Sequence, residues 1–348
     1  EKVTVEFEYS GVAQDGTDFT GVASIEVPAG QSSVDLDITT LTDGTYEGAE
    51  SFTVTIQDVE GADATASTNN SASVTINDAQ QAPKVSIVAD TGSTAEGGDA
   101  NFTVSIDQKA DEDVVVTFTI GGDVDSYDYT APNTYTVTIP AGQTSVDLDI
   151  ETLDDGIYEG AEDLTVTLTE TSGADSSLNT ASKEASVSVT DAQAAPKVSI
   201  VADTGSTAEG SDANFTVSID QKADEDVVVT FTIGGDVDSD DYTAPNTYTV
   251  TISAGQTSVD LDIETLDDGI YEGAEDLTVT LTETSGADSS LNTASKEASV
   301  SVTDAQTAPK VSIVADQDSV NEGQTAGFTV SLDQVADEKV TVEFEYSG

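Results

Sequence analysis

Residues 134–168 read TYTVTIPAGQTSVDLDIETLDDGIYEGAEDLTVTL. Tyr135, Val137 and Ile139 alternate with Thr. Val146, Leu148 and Ile150 alternate with Ser and Asp, and Leu164, Val166 and Leu168 alternate with Thr and Asp. A period of two puts every second side chain on one face of an extended strand, so each run reads as a half-buried β-strand. The outward Thr138 and Thr167 are β-branched, which suits a pleated surface. PAGQT and DDGIYEG, rich in Gly, Pro and Asp, separate the runs as turns.

The same alternation extends in both directions. Val85–Val88, then Phe102, Val104 and Ile106, then Val114, Val116, Phe118 and Ile120 precede the quoted stretch, and Ala185, Val187 and Val189 follow it. No segment has the 3.6 period of a long amphipathic helix. Seven short strands in about 110 residues predict an all-β fold, an immunoglobulin-like Greek-key β-sandwich.

The unit recurs. APKVSIV starts at Ala82, Ala195 and Ala308, both intervals being 113 residues. Residues 84–196 and 197–309 differ only at Gly98/Ser211, Tyr127/Asp240, Pro140/Ser253 and Ala194/Thr307. Residues 1–83 match the last two-thirds of the unit more loosely, and 310–348 match its first third. EKVTVEFEYSG stands at both 1–11 and 338–348. The expected division is a partial domain at 1–80, full domains at 84–192 and 197–305, and a partial domain at 310–348, stacked end to end. The absence of an initiator Met makes a window from a longer array the simplest expectation. Near-identity of neighbours points to duplication for length.

The chain has 348 residues and a formal net charge of −59. Its nine cations are all Lys, and it has no Arg, His, Cys, Met or Trp. Without Cys and His there is no zinc site, thiol nucleophile or Ser-His-Asp triad. The charge repels nucleic acid, and no basic patch reverses it locally. No apolar run is long enough to span a bilayer, so no membrane insertion is expected of this segment. Patterned Val, Ile and Leu argue against disorder.

Strand order locates the charge. If successive strands run up and down, the first, third and fifth connections and the end of the last strand share one pole. Glu96, then Asp123, Asp125 and Asp128, then Asp154, Asp155, Glu159 and Glu162, and finally Asp191 fall there, from four separate segments. Crowded carboxylates raise each other's pKa, and a hard cation relieves them. Calcium accepts 6–8 oxygens in flexible geometry and suits such a cluster better than magnesium. A plainly solvated acidic tip is the alternative. Lys84, Lys109 and Lys183 map to the opposite pole. An acidic pole facing a lysine-bearing one would help seat each junction, though weakly, since exposed pairs contribute about 0–1 kcal/mol.

The motifs AEGGDANFTVSID, DYTAPNTYTVTIPAGQTSVDLDIETLDDGIYEGAEDLTVTL and ASVSVTD together resemble the Calx-beta domain. The resemblance covers essentially the whole chain in two full and two partial copies. It implies calcium ligands at Glu96, Asp128, Asp154, Asp155, Glu159, Glu162 and Asp191, with the carbonyl of Ile157. In the next copy it implies Glu209, Asp241, Asp267, Asp268, Glu272, Glu275 and Asp304, with the carbonyl of Ile270. In the first partial copy Thr42 replaces the first Asp of the pair, leaving Asp18, Asp43, Glu47, Glu50 and Asp78, and the last partial copy supplies only Glu322. Asp191 is followed by Ala192 and Gln193 where calcium-richer members carry more Asp, so one or two ions per site are expected.

Tandem arrays of this kind imply a calcium-stiffened, secreted spacer of a cell-surface adhesin or fibre, with calcium and neighbouring domains or like chains as partners. A self-assembling filament, sheath or surface layer is an alternative, and a ligand-binding module a further one. Few aromatics and no Trp weaken sugar binding. Tyr46, Tyr158 and Tyr271, each just before a loop Glu, read as packing caps. With no coherent cleft, no enzymatic activity is expected.

Overall fold

The computed structural model describes residues 1–174, 176–286 and 289–347. Asp175, Ala287, Asp288 and Gly348 lie outside them, the last closing the C-terminal copy of EKVTVEFEYSG. Among the described residues every regular element is a β-strand. The chain divides into two compact units, Glu1–Asp155 with Ala161–Thr190, and Gly156–Gly160 with Asp191–Gly348.

In the first unit the segment 1–80 contributes β1 (Val3–Gly11), β2 (Phe19–Thr20), β3 (Ser24–Val27), β4 (Thr39–Thr40), β5 (Glu50–Glu60) and β6 (Ser71–Ile76). The complete repeat adds β7 (Lys84–Ala89), β8 (Ser93–Ala95), β9 (Asp99–Ile106), β10 (Val114–Gly122), β11 (Thr136–Ile139), β12 (Ser145–Glu151), β13 (Ala161–Ser172), β14 (Ser177–Leu178) and β15 (Glu184–Thr190). One sheet runs β11-β10-β13-β15-β8 and the other β12-β9-β7-β14. Their inner faces meet in one core in which Val85, Phe102, Val104, Val114, Val116, Leu164, Val166 and Val187 are fully buried. The alternation does this directly, since β9 buries every second residue from Ala100 to Ile106. The repeat is thus an immunoglobulin-like Greek-key sandwich.

Two strands beyond the expected seven appear, both short and parallel. The first strand of the repeat breaks at Asp90–Gly92, where Asp90 N–H donates to the Asn101 carbonyl, and resumes as β8 on the opposite sheet beside β15. Between β13 and β15, β14 lies beside the start of β7. Neither has room for an alternating pattern, so periodicity does not reveal them.

The second unit repeats this order in β16 (Lys197–Ala202), β17 (Ser206–Ala208), β18 (Asp212–Ile219), β19 (Val227–Gly235), β20 (Thr249–Ile252), β21 (Ser258–Glu264), β22 (Glu275–Ser285), β23 (Ser290–Leu291) and β24 (Glu297–Thr303). Its sheets are β17-β24-β22-β19-β20 and β21-β18-β16-β23. A hairpin of β25 (Val311–Ala315) and β26 (Phe328–Leu332) follows.

Segment 1–80 forms one four-stranded sheet, β3-β1-β5-β6, and a short antiparallel pair, β2-β4, with Ala13, Phe19 and Phe52 buried together. Val34, Leu36 and Ile38 alternate like Val146, Leu148 and Ile150, yet residues 32–38 form no strand. In the complete repeat β12 pairs with β9, and segment 1–80 holds no counterpart of β9 for those residues to pair with.

Candidate metal centre

Backbone hydrogen bonds gather the loops of one pole before any side chain is considered. In the first unit Leu153 N–H donates to the Asp128 carbonyl at 2.8 Å, tying the β10–β11 loop to the end of β12. The buried Thr152 hydroxyl donates to the Gly98 carbonyl at 2.8 Å, which adds the β8–β9 turn. Glu96 N–H donates to the Thr190 carbonyl at 3.0 Å, which adds the end of β15. The second unit repeats these ties through Leu266 with Asp241, Thr265 with Ser211, and Glu209 with Thr303. The four segments expected at one pole are therefore joined in both complete repeats.

Upon this frame the carboxylates converge. In segment 1–80, Asp18, Glu47 and Glu50 each offer an oxygen, and the three oxygens lie within 4.8 Å of one another. In the second unit Asp241, Glu272 and Glu275 make the same arrangement. In the complete repeat of the first unit the buried Asp128 faces Glu162. Burial first, then neighbouring carboxylates, raise Glu47, Glu162, Glu272 and Glu275 to about 7. Glu50, Asp128 and Glu209 shift the same way, again chiefly through burial. Like charges held together without a cation have this electrostatic signature.

The last-strand aspartates have a different place. Asp304 Oδ2 accepts the N–H groups of Glu272 at 2.6 Å and Gly273 at 2.8 Å, and its Oδ1 accepts that of Gln306 at 2.6 Å. Asp191 holds Glu159, Gly160 and Gln193 in the same way within the second unit. Asp78 holds Glu47, Gly48 and Gln80. These carboxylates position the glutamate-bearing loop by its backbone. The geometry needs the left-handed glycine after the Glu, with φ of 78° at Gly48 and 93° at Gly273.

The remaining expected residues divide. Asp267 Oδ1 accepts Gly269 N–H at 3.1 Å and Gln306 Nε2–H at 2.7 Å, and Asp268 Oδ1 accepts Ile270 N–H at 2.8 Å. Glu209 Oε2 accepts Ala305 N–H at 3.1 Å. Asp154 and Asp155 are exposed after β12, while Ile157 and Glu159 lie in the 156–160 segment of the second unit. Asp43 caps its own loop through Thr45 N–H at 2.7 Å. Glu322 is exposed and belongs to no carboxylate group among the described residues.

Sequence reasoning missed two contributors. Gln306, the counterpart in the next copy of the Gln193 read as a departure from an Asp run, bonds Asp267 through Nε2 while its Oε1 is buried with no hydrogen-bond partner. Gln80 donates likewise to Thr42 Oγ1 at 3.3 Å, where Thr stands in the aspartate's place. The second contributor is Asp111, whose carboxyl is raised by burial first and then by Glu112, Asp18 and Asp78. It comes from the β9–β10 loop of the complete repeat, yet it faces the pole of segment 1–80. The expected lysine contacts are absent: among the described residues Lys84, Lys109 and Lys183 form no ion pair, and Lys2–Glu26 is an exposed one. Lys109 meets the preceding pole through its backbone carbonyl, which accepts Tyr46 N–H at 2.9 Å.

The donor set is all oxygen, anionic and crowded, with an unpartnered amide oxygen on the residue that braces Asp267. It fits a hard divalent cation of the calcium type. No thiolate or imidazole is present to favour a softer metal.

The LapA domain model matches residues 82–192 and 195–305, and the Calx-beta domain model matches 1–80. No curated protein matches the sequence. Among solved structures, CBD12 from CALX1.2 is 14% identical, with 62% of this chain and 98% of that one covered and a TM-score of 0.28. The Yersinia pseudotuberculosis adhesin InvE is 17% identical, with 63% and 58% covered and a TM-score of 0.29. The Escherichia coli adhesin FdeC is 12% identical, with 73% and 74% covered and a TM-score of 0.28.

Proposed function

The chain belongs to the LapA domain family, and from that premise we propose that it is a calcium-stiffened spacer, a tandem array of sandwiches that gives reach to an extracellular adhesin or surface fibre. The observation that carries this reading is the repeated pole. Asp18, Glu47 and Glu50 converge within 4.8 Å in one unit, and Asp241, Glu272 and Glu275 do so separately in the other, each group on connecting loops at one end of its own strands. Near-identical neighbours differing at four positions suit a part whose property is length. The domains in this reading are 1–80, 84–192, 197–305 and 310–348.

Calcium would be held by Asp18, Glu47 and Glu50, by Asp128 and Glu162, and by Asp241, Glu272 and Glu275. Glu209 and Asp268, whose charges act on Glu272, and Asp267 with its partner Gln306 would be further donors in the last of these. Bound, the ion supplies positive charge that cancels the repulsion among these groups. The protein's own part is to hold the glutamates in place, which Asp78 and Asp304 do by fixing loop N–H groups. Extracellular modules bind calcium at about 10⁻⁴–10⁻³ M, so a millimolar calcium medium fills such sites.

Calorimetric titration of the whole chain with calcium, together with small-angle scattering before and after EDTA, tests this. Calcium binding with a stiffer scattering profile is expected. No heat of binding, or a profile indifferent to EDTA, overturns the reading.

A further inference from the structure

Tyr46 is 7% exposed although it lies on the tip loop that carries Asp43 and Glu47. It is buried against the next domain's β9–β10 loop. Its N–H donates to the Lys109 carbonyl at 2.9 Å, and its carbonyl accepts Asp111 N–H at 3.0 Å, a parallel bridge centred on Ala110. Ala110 is 1% exposed, and its carbonyl accepts Gly142 N–H at 2.8 Å, so the receiving loop is itself fixed.

The second unit contains the arrangement twice. Tyr158 bonds the Lys222 carbonyl and Asp224 N–H, both at 3.0 Å, around the buried Ala223, and its ring joins the core that includes Val198 and Val227. Tyr271 bonds the Val335 carbonyl and Asp337 N–H, both at 3.1 Å, around Ala336. Val335 stands where Lys109 and Lys222 stand elsewhere. The backbone makes the contact, which leaves the outer side chain free to vary.

Tyr46 and Tyr271 are peptide-bonded to the pole glutamates Glu47 and Glu272, and Tyr158 to Glu159 in the same YEG triplet. The next two N–H groups are held by the last-strand aspartate, as Glu47 and Gly48 are by Asp78. One short loop therefore carries a carboxylate toward the pole and a ring with two backbone hydrogen bonds toward the following segment. Repulsion that moves the Glu by an ångström moves the Tyr as well, and hydrogen bonds near 3 Å weaken steeply with such displacement.

We propose that the tyrosine of each YEG triplet is a junction peg. It docks on the β9–β10-type loop of the next repeat in the same array, and it passes the charge state of its own pole to that junction. The proposal rests on the calcium reading above and assigns its route. Calcium seats the glutamate, the seated loop holds the peg, and the peg fixes the orientation of the following domain. The packing-cap role expected of these tyrosines becomes an inter-repeat one, and Tyr46, Tyr158 and Tyr271 act as positioning residues.

The test uses the full chain, a triple Tyr46→Ala, Tyr158→Ala, Tyr271→Ala variant, and the matching triple Tyr→Phe variant, with calcium as the probe. The expected result is that calcium still binds in all three, with affinity kept in the Phe variant and weakened in the Ala variant, since the coupling between pole and peg is reciprocal. The calcium-dependent change in scattering is lost in the Ala variant and kept in the Phe variant, whose ring still fills the site. Hydrogen exchange on the unmodified chain is the second measurement and needs no variant. Peptides spanning 109–113 and 222–226 should gain protection on adding calcium. An Ala variant that stiffens like the parent, or exchange at these peptides that ignores calcium, overturns the peg and leaves the calcium reading standing. A parent that binds no calcium overturns both.

Discussion

In the second unit Phe215, Leu277 and Val300 are fully buried between two sheets, while Asp241 and Glu272 from connecting loops and Glu275 at the start of β22 crowd within 4.8 Å. The first region satisfies itself. Its apolar faces close on each other, and each side chain removed from water stabilises the fold by about 1.5–3 kcal/mol. The second region works against itself, since burial and like charge raise Glu272 and Glu275 to about 7. The contrast teaches where ligand dependence can enter a β-sandwich. The core is complete as folded, whereas the pole keeps an excess of like charge that the proposed cation would offset.

The largest effect tests the core side. Phe215→Ala removes a fully buried ring from β18 and should cost about 3–5 kcal/mol. Chemical denaturation should return the same loss in calcium and in EDTA. A loss that depended on calcium would break the separation between core and pole.

Next in size is the ion itself. At a calcium concentration about a hundred times the dissociation constant, each filled site should add about 2.7 kcal/mol, and chelation should remove it. Parent and Phe215→Ala should gain the same increment, because Phe215 lies in the apolar core and the carboxylates lie in a separate group. Thermal melts with and without EDTA measure both increments.

Proton linkage is smaller and reverses the usual direction for carboxylates. With folded values of about 7 against an ordinary value of 4.5, Glu47, Glu162, Glu272 and Glu275 bind more protons in the folded state between those limits. Stability without calcium should therefore fall as pH rises from about 4.5 to about 7 and level off above. Glu275→Gln should blunt that slope and raise stability in EDTA by up to about 1 kcal/mol. In calcium the same change should lower it. Equal signs in the two buffers would show that the pole is merely solvated.

Much of the core was legible and less of the pole, for separate reasons. Alternation names the buried face of β9 residue by residue, but not whether that face is covered. KVSIVA stands at 197–202 and 310–315, with Val198 and Ile200 at 0% and 2% exposure and Val311 and Ile313 at 45% and 56%. The opposing sheet makes that difference, and no local pattern contains it. At the pole, strand order predicts which loops meet. It does not predict that Asp304 turns its oxygens onto Glu272 and Gly273 N–H groups, because a glycine φ of 93° directs those donors. The partner of Tyr46 at Ala110 belongs to another repeat, beyond the reach of any periodicity within one.

The smallest expected effect compares the two poles with each other. Thr42 and Asp267 occupy the same place, and each receives a glutamine amide, Gln80 at 3.3 Å and Gln306 at 2.7 Å. The shorter contact belongs to the aspartate, as a charge-assisted bond should. Thr42→Asp supplies that acceptor and also sets a further charge near Asp43 and Glu47. In EDTA the gain and the repulsion oppose each other, so the melting temperature should hardly move, within about 0.5 kcal/mol of the parent. In calcium the added oxygen should tighten the pole of segment 1–80 toward the affinity of the Asp241 pole. Calorimetry should then show the weakest phase of the parent titration merging with the others. If that phase stays where it was, the Asp at this position braces the glutamine and does not hold the ion.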